Sequence, residues 1–471
     1  MAQDTSSASS IFVLRARQAL IALGPILITI SLGLAEGYSA ILLPQLENDP
    51  AWNVDTNMAS WIASIATLPM SIGCVLGGWL METIGRKLLH LATCLPNIIG
   101  WLLIAFCENN MELLLLGRFI TGMCVGVLSP VLIIYVAETS DPVFRGFLLP
   151  SVSLALNFGI AISHIMGTYL DWDMVAWLAC FYPTGCFLIM VFMPESPTYL
   201  IKKGRVEKAQ EEFFWFRGDT LNSRQELDTI INNQQQQLTL TIKEQLKIVF
   251  EPEFYKPLLI LLIFFSTMQW AGNNPVAFYT INILQEVLKG SIVDAYTSML
   301  IMDGVRICAS ILGCFGQRFL KRRLLMVLSC LGTIISLIIL SIYLYAIDHY
   351  NFKQDLSLIP VISLVSYVLF INVGLLPLPY SMSGELFGQR CRGLGSGIVT
   401  LFNMILMFVV VKITPWMFDT WKSYGTFALF AISCLVGMTV LVVVLPETKD
   451  KPLHVIEEDF RRKKVTVPPR I

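Results

Sequence analysis

Residues 324–346 read Leu324-Leu325-Met326-Val327-Leu328-Ser329-Cys330-Leu331-Gly332-Thr333-Ile334-Ile335-Ser336-Leu337-Ile338-Ile339-Leu340-Ser341-Ile342-Tyr343-Leu344-Tyr345-Ala346, with Arg322-Arg323 just ahead of them. No charged side chain interrupts the run. The hydrocarbon core of a bilayer takes about 20 predominantly apolar residues per helix, so this stretch reads as one complete span. A basic pair at its entrance marks the end that stays in the cytoplasm.

The same reading extends over the chain. Candidate spans are 19–44, 59–81, 88–107, 111–136, 147–169 and 174–193, then 257–287, 296–317, 324–346, 357–380, 394–414 and 424–445. Of 471 residues, 55% are hydrophobic and 14% charged, against about 25% charged in a soluble domain. The net charge of −1 gives no reason to expect a nucleic-acid partner. The eleven cysteines lie almost entirely in apolar runs and form neither a CxxC pair nor a ligand spacing with the four histidines. They read as small buried residues, with no disulfide framework, no metal site and no cofactor. There is no phosphate loop, no HExxH helix and no nucleophile elbow, so the chain is read as neither an ATP-driven pump nor an enzyme. Its predicted partners are the lipid bilayer and a small solute, and it is predicted to work as a monomer.

Basic residues set the orientation. One series of loops carries Arg15 and Arg17, Arg86 and Lys87, Arg145, Lys202 to Lys208, Arg318 to Arg323, Arg390 and Arg392, and Arg461 to Lys464. The alternate loops carry Glu47, Asp49, Asp55, Glu108, Asp171 and Asp173, and only Lys289, Lys353, Lys412 and Lys422 break the pattern. Both termini are therefore predicted to be cytoplasmic in a multi-pass protein of the cell membrane. No small-residue cleavage site follows the first apolar run, so that span itself is expected to target the chain.

The two halves repeat one another. Glu138 stands seven residues before Arg145-Gly146, and Glu385 seven before Arg392-Gly393. The sixth span ends in Pro194-Glu195-Ser196, the twelfth in Pro446-Glu447-Thr448, and Arg86-Lys87 and Arg322-Arg323 follow the second and eighth spans. Three matches in one order indicate a duplicated unit. The predicted fold is an all-α membrane protein, with twelve transmembrane helices in two pseudo-symmetric six-helix bundles. Residues 1–193 are the first bundle, 194–255 a cytoplasmic linker with short helices, 256–447 the second bundle and 448–471 a cytoplasmic tail. Parallel repeats of this kind are a transporter architecture with substrate near the midplane.

Gly77-Gly78-Trp79-Leu80-Met81-Glu82-Thr83-Ile84-Gly85-Arg86-Lys87 resembles the loop motif of the major facilitator superfamily. Gly117-Arg118-Phe119, the two half-ending motifs, and Pro377-Leu378-Pro379-Tyr380 with Glu385-Leu386-Phe387 resemble its sugar-porter branch. Gly37 to Leu46 is most similar to the facilitated trehalose transporter group. The resemblance covers nearly the whole chain and implies alternating access by two bundles, carrying a neutral sugar, trehalose or hexose, down its gradient.

Arginine and glutamate residues at the cytoplasmic helix ends are expected to pair across the halves in one conformation. Arg86, Glu138, Arg145, Glu195, Arg322, Glu385, Arg392 and Glu447 form this predicted gate; the plain alternative is anchoring of the spans. An exposed pair is worth about 0.2–1 kcal/mol, so a cluster biases an equilibrium without freezing it.

For the substrate, the seventh span offers Gln269, Asn273, Asn274 and Tyr279. The sugar-porter run Gln-Gln-x-x-Gly-x-Asn is matched by Met268-Gln269-Trp270-Ala271-Gly272-Asn273-Asn274 except at its first Gln. The resemblance further assigns Ser153 and Asn157 in the fifth span, Tyr380 in place of a tryptophan, Asn403, and Asp303 near a substrate-facing asparagine. Charges inside spans are costly and functional by default. Asp303 and Arg306, three apart, can pair along one helix. Glu36 is left with two uses, proton coupling or a contact with Arg306. Ser39 falls where proton-coupled relatives carry aspartate, which implies uniport. A proton symporter, a carrier of a polyol or organic cation, and a solute sensor without flux stay open as alternatives.

Overall fold

The structure is a computed structural model describing residues 2–460 apart from 53, 237–248, 289–293, 351–357, 388–391, 450–455, 457 and 459; the side chains of 2–11, 142–143, 233–236 and 392 also lie outside the description. Every regular element among the described residues is helical. The chain divides into two units, Met1–Thr239 and Leu240–Ile471, and the division falls inside the polar stretch between the sixth and seventh spans.

The first unit begins with Ala2–Asn48, followed by a second span in two pieces, Thr56–Ser64 and Leu68–Thr83. Arg86–Ala105, Met111–Thr139 and Pro142–Tyr169 are the third to fifth spans, and Trp172–Ala179 with Phe181–Phe192 the sixth. The starts are capped by side chains: Asp55 accepts from the Met58 N–H at 2.7 Å, and Asn110 from Glu112 at 3.0 Å. Each cap satisfies an N–H that the first helical turn leaves open. Where spans cross, small residues let backbones touch. A Cβ on Gly126 would lie 2.3 Å from the Met70 carbonyl, and one on Gly77 2.0 Å from the Val127 carbonyl. Within a bilayer, van der Waals packing between small residues drives helix association, because lipid tails remove the hydrophobic drive.

Three linker helices, Pro197–Lys202, Val206–Arg217 and Leu221–Gln236, also belong to the first unit. Phe213 and Phe216 are buried, and the last carbonyls of the middle helix are capped by the start of the chain. Arg17 Nη1 donates to the Trp215 carbonyl at 2.7 Å, and Gln18 Nε2 to Phe216 at 3.0 Å.

In the second unit the seventh span is broken into Pro252–Trp270, Asn273–Phe278 and Thr280–Val287. Ala295–Phe319 and Arg322–His349 follow. The tenth span runs through Leu358–Phe370, a π-helical turn at Ile371–Leu375, and Pro377–Leu386. Eleven described stretches are long and apolar enough to cross a membrane, against twelve expected. The difference lies in Arg392–Val444, one helical run that bends at Lys422 (φ 56°, ψ 175°). At 1.5 Å per residue this run measures about 80 Å, more than twice the bilayer core. Spans 394–414 and 424–445 lie on either side of the bend, so the twelve spans are present.

Candidate functional site

The break in the seventh span organises the predicted substrate residues. Gly272 is left-handed (φ 85°) and ends the helix after Trp270. A Cβ there would sit 2.5 Å from the Phe430 ring, so both conformation and space require glycine. The Ala271 carbonyl freed by the break accepts from the Tyr367 hydroxyl at 3.0 Å. Asn273 and Asn274 then open the next helical turn, pointing back toward Gln269.

Four of the predicted residues join in one hydrogen-bonded chain. Asn274 Nδ2 donates to Gln269 Oε1 at 2.6 Å, Gln269 Nε2 to Asn403 Oδ1 at 2.8 Å, and Asn403 Nδ2 to the Tyr380 hydroxyl at 3.0 Å. Asn273 extends it, donating to Asn274 Oδ1 at 3.3 Å. Gln269 and Asn403 are fully buried, Asn273 and Asn274 part-buried, and Tyr380 is 44% exposed with its ring edge-on to Phe265. The chain is therefore neutral, anchored in the core and open toward its ends, and it presents amides and a phenol suited to hydroxyl groups.

The other predicted contacts are placed differently. Tyr279 is buried and its hydroxyl donates to the Val411 carbonyl at 3.1 Å, a tie between spans of the same unit. Asp303 and Arg306 are both buried and pair at 2.7 Å along their own helix. In the first unit Ser153 is exposed and Asn157 part-buried in the fifth span, and Glu36 is part-buried in the first.

One buried cation was not predicted as a site residue, although it stands in the Gly117-Arg118-Phe119 motif. Arg118 is fully buried in the fourth span. It donates to the Ala35 carbonyl at 2.9 Å and to the Ser39 hydroxyl, and lies 5.6 Å from the Tyr38 ring. These three partners are neutral or aromatic.

The predicted gate residues whose contacts are described gather into two clusters built alike, one in each unit. In the first, Arg86 Nε lies 3.0 Å from Glu138 and Nη2 3.0 Å from Glu82. Glu195 accepts the backbone N–H groups of Arg86 at 3.0 Å and Lys87 at 3.1 Å, and the Ser196 hydroxyl donates to Glu138 at 2.5 Å. In the second, Arg322 Nη2 is 2.8 Å from Glu385. Glu447 accepts from the Arg322 and Arg323 N–H groups at 3.0 and 3.3 Å, and Thr448 donates to Glu385 at 2.5 Å. The reason for pairing inside each unit is geometric: each half-ending carboxylate caps the N-terminus of a span three helices earlier in its own bundle, where free N–H groups and the helix dipole favour an anion. Arg145 caps too, donating to the Ser140 carbonyl at 3.0 Å; the Arg392 side chain lies outside the described residues.

The first cluster has two members that spacing did not reveal. Lys202 donates to Glu82 at 2.5 Å, and the Glu195 N–H donates to Glu212 at 2.5 Å. Burial holds the Glu212 carboxyl above the usual carboxylate range, against the pull of that N–H and of Lys208. Neither is visible as a repeat element, because the linker occurs once.

Long apolar helices in a duplicated six-span unit, with charge held at the helix ends and uncharged polar groups inside a broken span, are the architecture of a membrane transporter. The family model described as "Sugar (and other) transporter" matches residues 19–460. The facilitated trehalose transporter Tret1-2 homolog of Drosophila simulans is 31% identical over 442 residues, covering 93% of this chain and 90% of the relative. Tret1 of Drosophila grimshawi is 32% identical over the same share of this chain, which spans only 47% of that longer protein. Among solved structures, the inward-open xylose transporter XylE of E. coli has a TM-score of 0.77 at 17% identity, covering 94% of this chain and 99% of that one. A POT family transporter has a TM-score of 0.66 at 12% identity, covering 90% of this chain and 95% of that one. These two likenesses establish the major facilitator fold. The chain belongs to the sugar transporter family.

Proposed function

We propose that this protein carries a neutral sugar, trehalose or a hexose, across the cell membrane by facilitated diffusion and alternating access. The observation that carries the reading is the uncharged chain Asn274–Gln269–Asn403–Tyr380. Amides aligned by one another offer directional donors and acceptors, and a part-exposed ring offers a face for a pyranose. The name of the Drosophila simulans relative favours trehalose. A buried arginine partnered by the Ser39 hydroxyl and the Ala35 carbonyl favours uniport, since neither group titrates near neutral pH. The basic loops support cytoplasmic termini, and the two arginine–carboxylate clusters serve as the cytoplasmic gate. The layout is two bundles, 1–193 and 256–447, joined by the linker 194–255, acting as a monomer.

One observation keeps a second reading alive: Glu36 is part-buried in the first span, which fits a proton symporter. Uptake of labelled trehalose and glucose into proteoliposomes, with and without an inward proton gradient, separates the two. Saturable uptake lost in Asn274→Ala and indifferent to the gradient and to Glu36→Gln is the expected result. Gradient-driven uptake abolished by Glu36→Gln means symport, and no sugar flux from folded protein defeats the substrate assignment.

A further inference from the structure

The two clusters share one bonding pattern but differ in charge around it. Arg318 stands four residues before Arg322 as Glu82 stands before Arg86, and Lys321 precedes Arg322 as Gly85 precedes Arg86. Arg323 answers to Lys87, and Lys449, two after Glu447, answers to Pro197, two after Glu195. Where the first unit has one acid, one glycine, one lysine and one proline, the second has four cations.

Geometry permits the exchange and, among the described residues, brings no carboxylate to Arg318 or Lys321. Gly85 has φ 100° and would bring a Cβ to 2.4 Å from Glu195, whereas Lys321 has an ordinary φ of −65°. Glu82 closes the first cluster by taking both Arg86 and Lys202. In the second, Glu385 is occupied by Arg322 and Thr448, and Glu447 by backbone N–H groups. Among the described residues Arg318 and Lys321 have no carboxylate partner, and both are exposed. Lys449 Nζ rests on the Phe319 carbonyl at 2.7 Å. Beside them lie exposed apolar side chains, Leu312 (53%), Phe315 (56%), Phe319 (66%) and Leu324 (47%).

We propose that Arg318, Lys321, Arg323 and Lys449 form a binding site for the phosphate headgroup of an anionic phospholipid, with an acyl chain lying along Phe315 and Phe319. The inference rests on the reading of these helices as membrane spans and needs no particular transported solute. Charge complementarity selects the occupant: cations at a span end beside an apolar, outward-facing strip match a molecule that is anionic at one end and hydrocarbon at the other. The first unit, closed by Glu82, has no such preference.

The test is native mass spectrometry of the full chain with added phosphatidylserine or phosphatidylcholine of the same acyl chains. Each surface cation contributes about fivefold to affinity for an anionic lipid, so Arg318→Gln/Lys321→Gln is expected to weaken phosphatidylserine binding by about 25-fold and leave phosphatidylcholine alone. Lys203→Gln/Arg205→Gln, which removes as much charge from the first unit, is expected to change it less than about twofold. Equal losses in both variants, or no preference for phosphatidylserine in the parent, overturn the proposal. A several-fold rise in lipid binding on Glu457→Gln/Glu458→Gln overturns it too, by showing that the acidic tail occupies the patch. Sugar uptake by the Arg318→Gln/Lys321→Gln protein is measured alongside: its loss or survival reports on the carrier reading, while the lipid counts report on the site.

Discussion

Gln269 gives an amide N–H to Asn403 at 2.8 Å across 134 residues of chain, and both side chains are shielded from solvent. This bond ties the broken seventh span to the eleventh. It also fixes which way both amides face, because Gln269 accepts from Asn274 and Asn403 donates to Tyr380. The polarity of the whole chain is set by its buried middle, so the exposed ends present a defined donor and acceptor pattern.

Asn403→Leu therefore leaves the Gln269 N–H buried without its acceptor, at a cost of about 1–3 kcal/mol. The expected result is a lower unfolding midpoint and a sugar KM raised by about tenfold. Gln269→Leu acts similarly. The double variant is expected to lose less stability than the two singles added together, since neither orphan remains. A thermal and kinetic double-mutant cycle checks this, and strict additivity would mean that the two side chains act independently.

Arg86→Gln is expected to destabilise more than Arg322→Gln, although the two residues hold matching places. The Arg86 side chain is 6% exposed and its partner Glu138 17%, against 15% and 25% for Arg322 and Glu385. Removing one member of a buried pair costs about 3–5 kcal/mol, and of an exposed pair about 0–1 kcal/mol. Arg86 also serves Glu82. Unfolding midpoints of the two purified variants give the comparison directly, and a larger drop for Arg322→Gln would refute it.

What was legible in the sequence follows from the range of each signal. The spans are written in local hydropathy, and even the merged eleventh and twelfth were separable at Lys422. Asp303–Arg306 was legible because three residues make one helical turn. Gln269 stood out as a polar group within an apolar span, whereas Asn403 and Tyr380 came only through resemblance, since nothing local couples residues so far apart. The partners that the gate arginines have inside each unit were not legible, because motif spacing says nothing about which helix end a carboxylate will cap. Glu212 and Lys202 were missed for a related reason: the duplication that exposed the other members has no copy of the linker.

Glu212 gives a pH prediction of definite sign. Burial raises its carboxyl above the ordinary value of 4.5, outweighing the hydrogen bond from Glu195 and the attraction of Lys208. A raised carboxyl makes its contribution to stability fully below the unfolded-state value and loses it as pH climbs through the folded one. Glu212→Gln keeps an acceptor for the Glu195 N–H but cannot ionise. The variant is expected to match or exceed the parent in melting temperature at neutral pH, with that advantage shrinking as the pH falls through the raised folded-state value and gone below the ordinary value of 4.5. A deficit at neutral pH that closes in acid would show instead that the Lys208 pair outweighs burial.

Gly272 is the residue on which the break in the seventh span depends, and its two requirements can be separated. An alanine must adopt φ near 85° and must also share space with the Phe430 ring. The left-handed conformation alone costs an L-residue about 1–2 kcal/mol, and forcing extra volume into packed surroundings about 1–3 kcal/mol more. Gly272→Ala is expected to lower the unfolding midpoint and, by shifting Asn274 away from Gln269, to raise the sugar KM. Adding Phe430→Ala removes the clash but keeps the conformational cost, and creates a cavity of its own. The double variant should therefore recover KM more fully than stability. If Gly272→Ala transports and melts like the parent, the break is not held by glycine, and the placing of Asn273 and Asn274 must be credited to the Tyr367 hydroxyl on the Ala271 carbonyl.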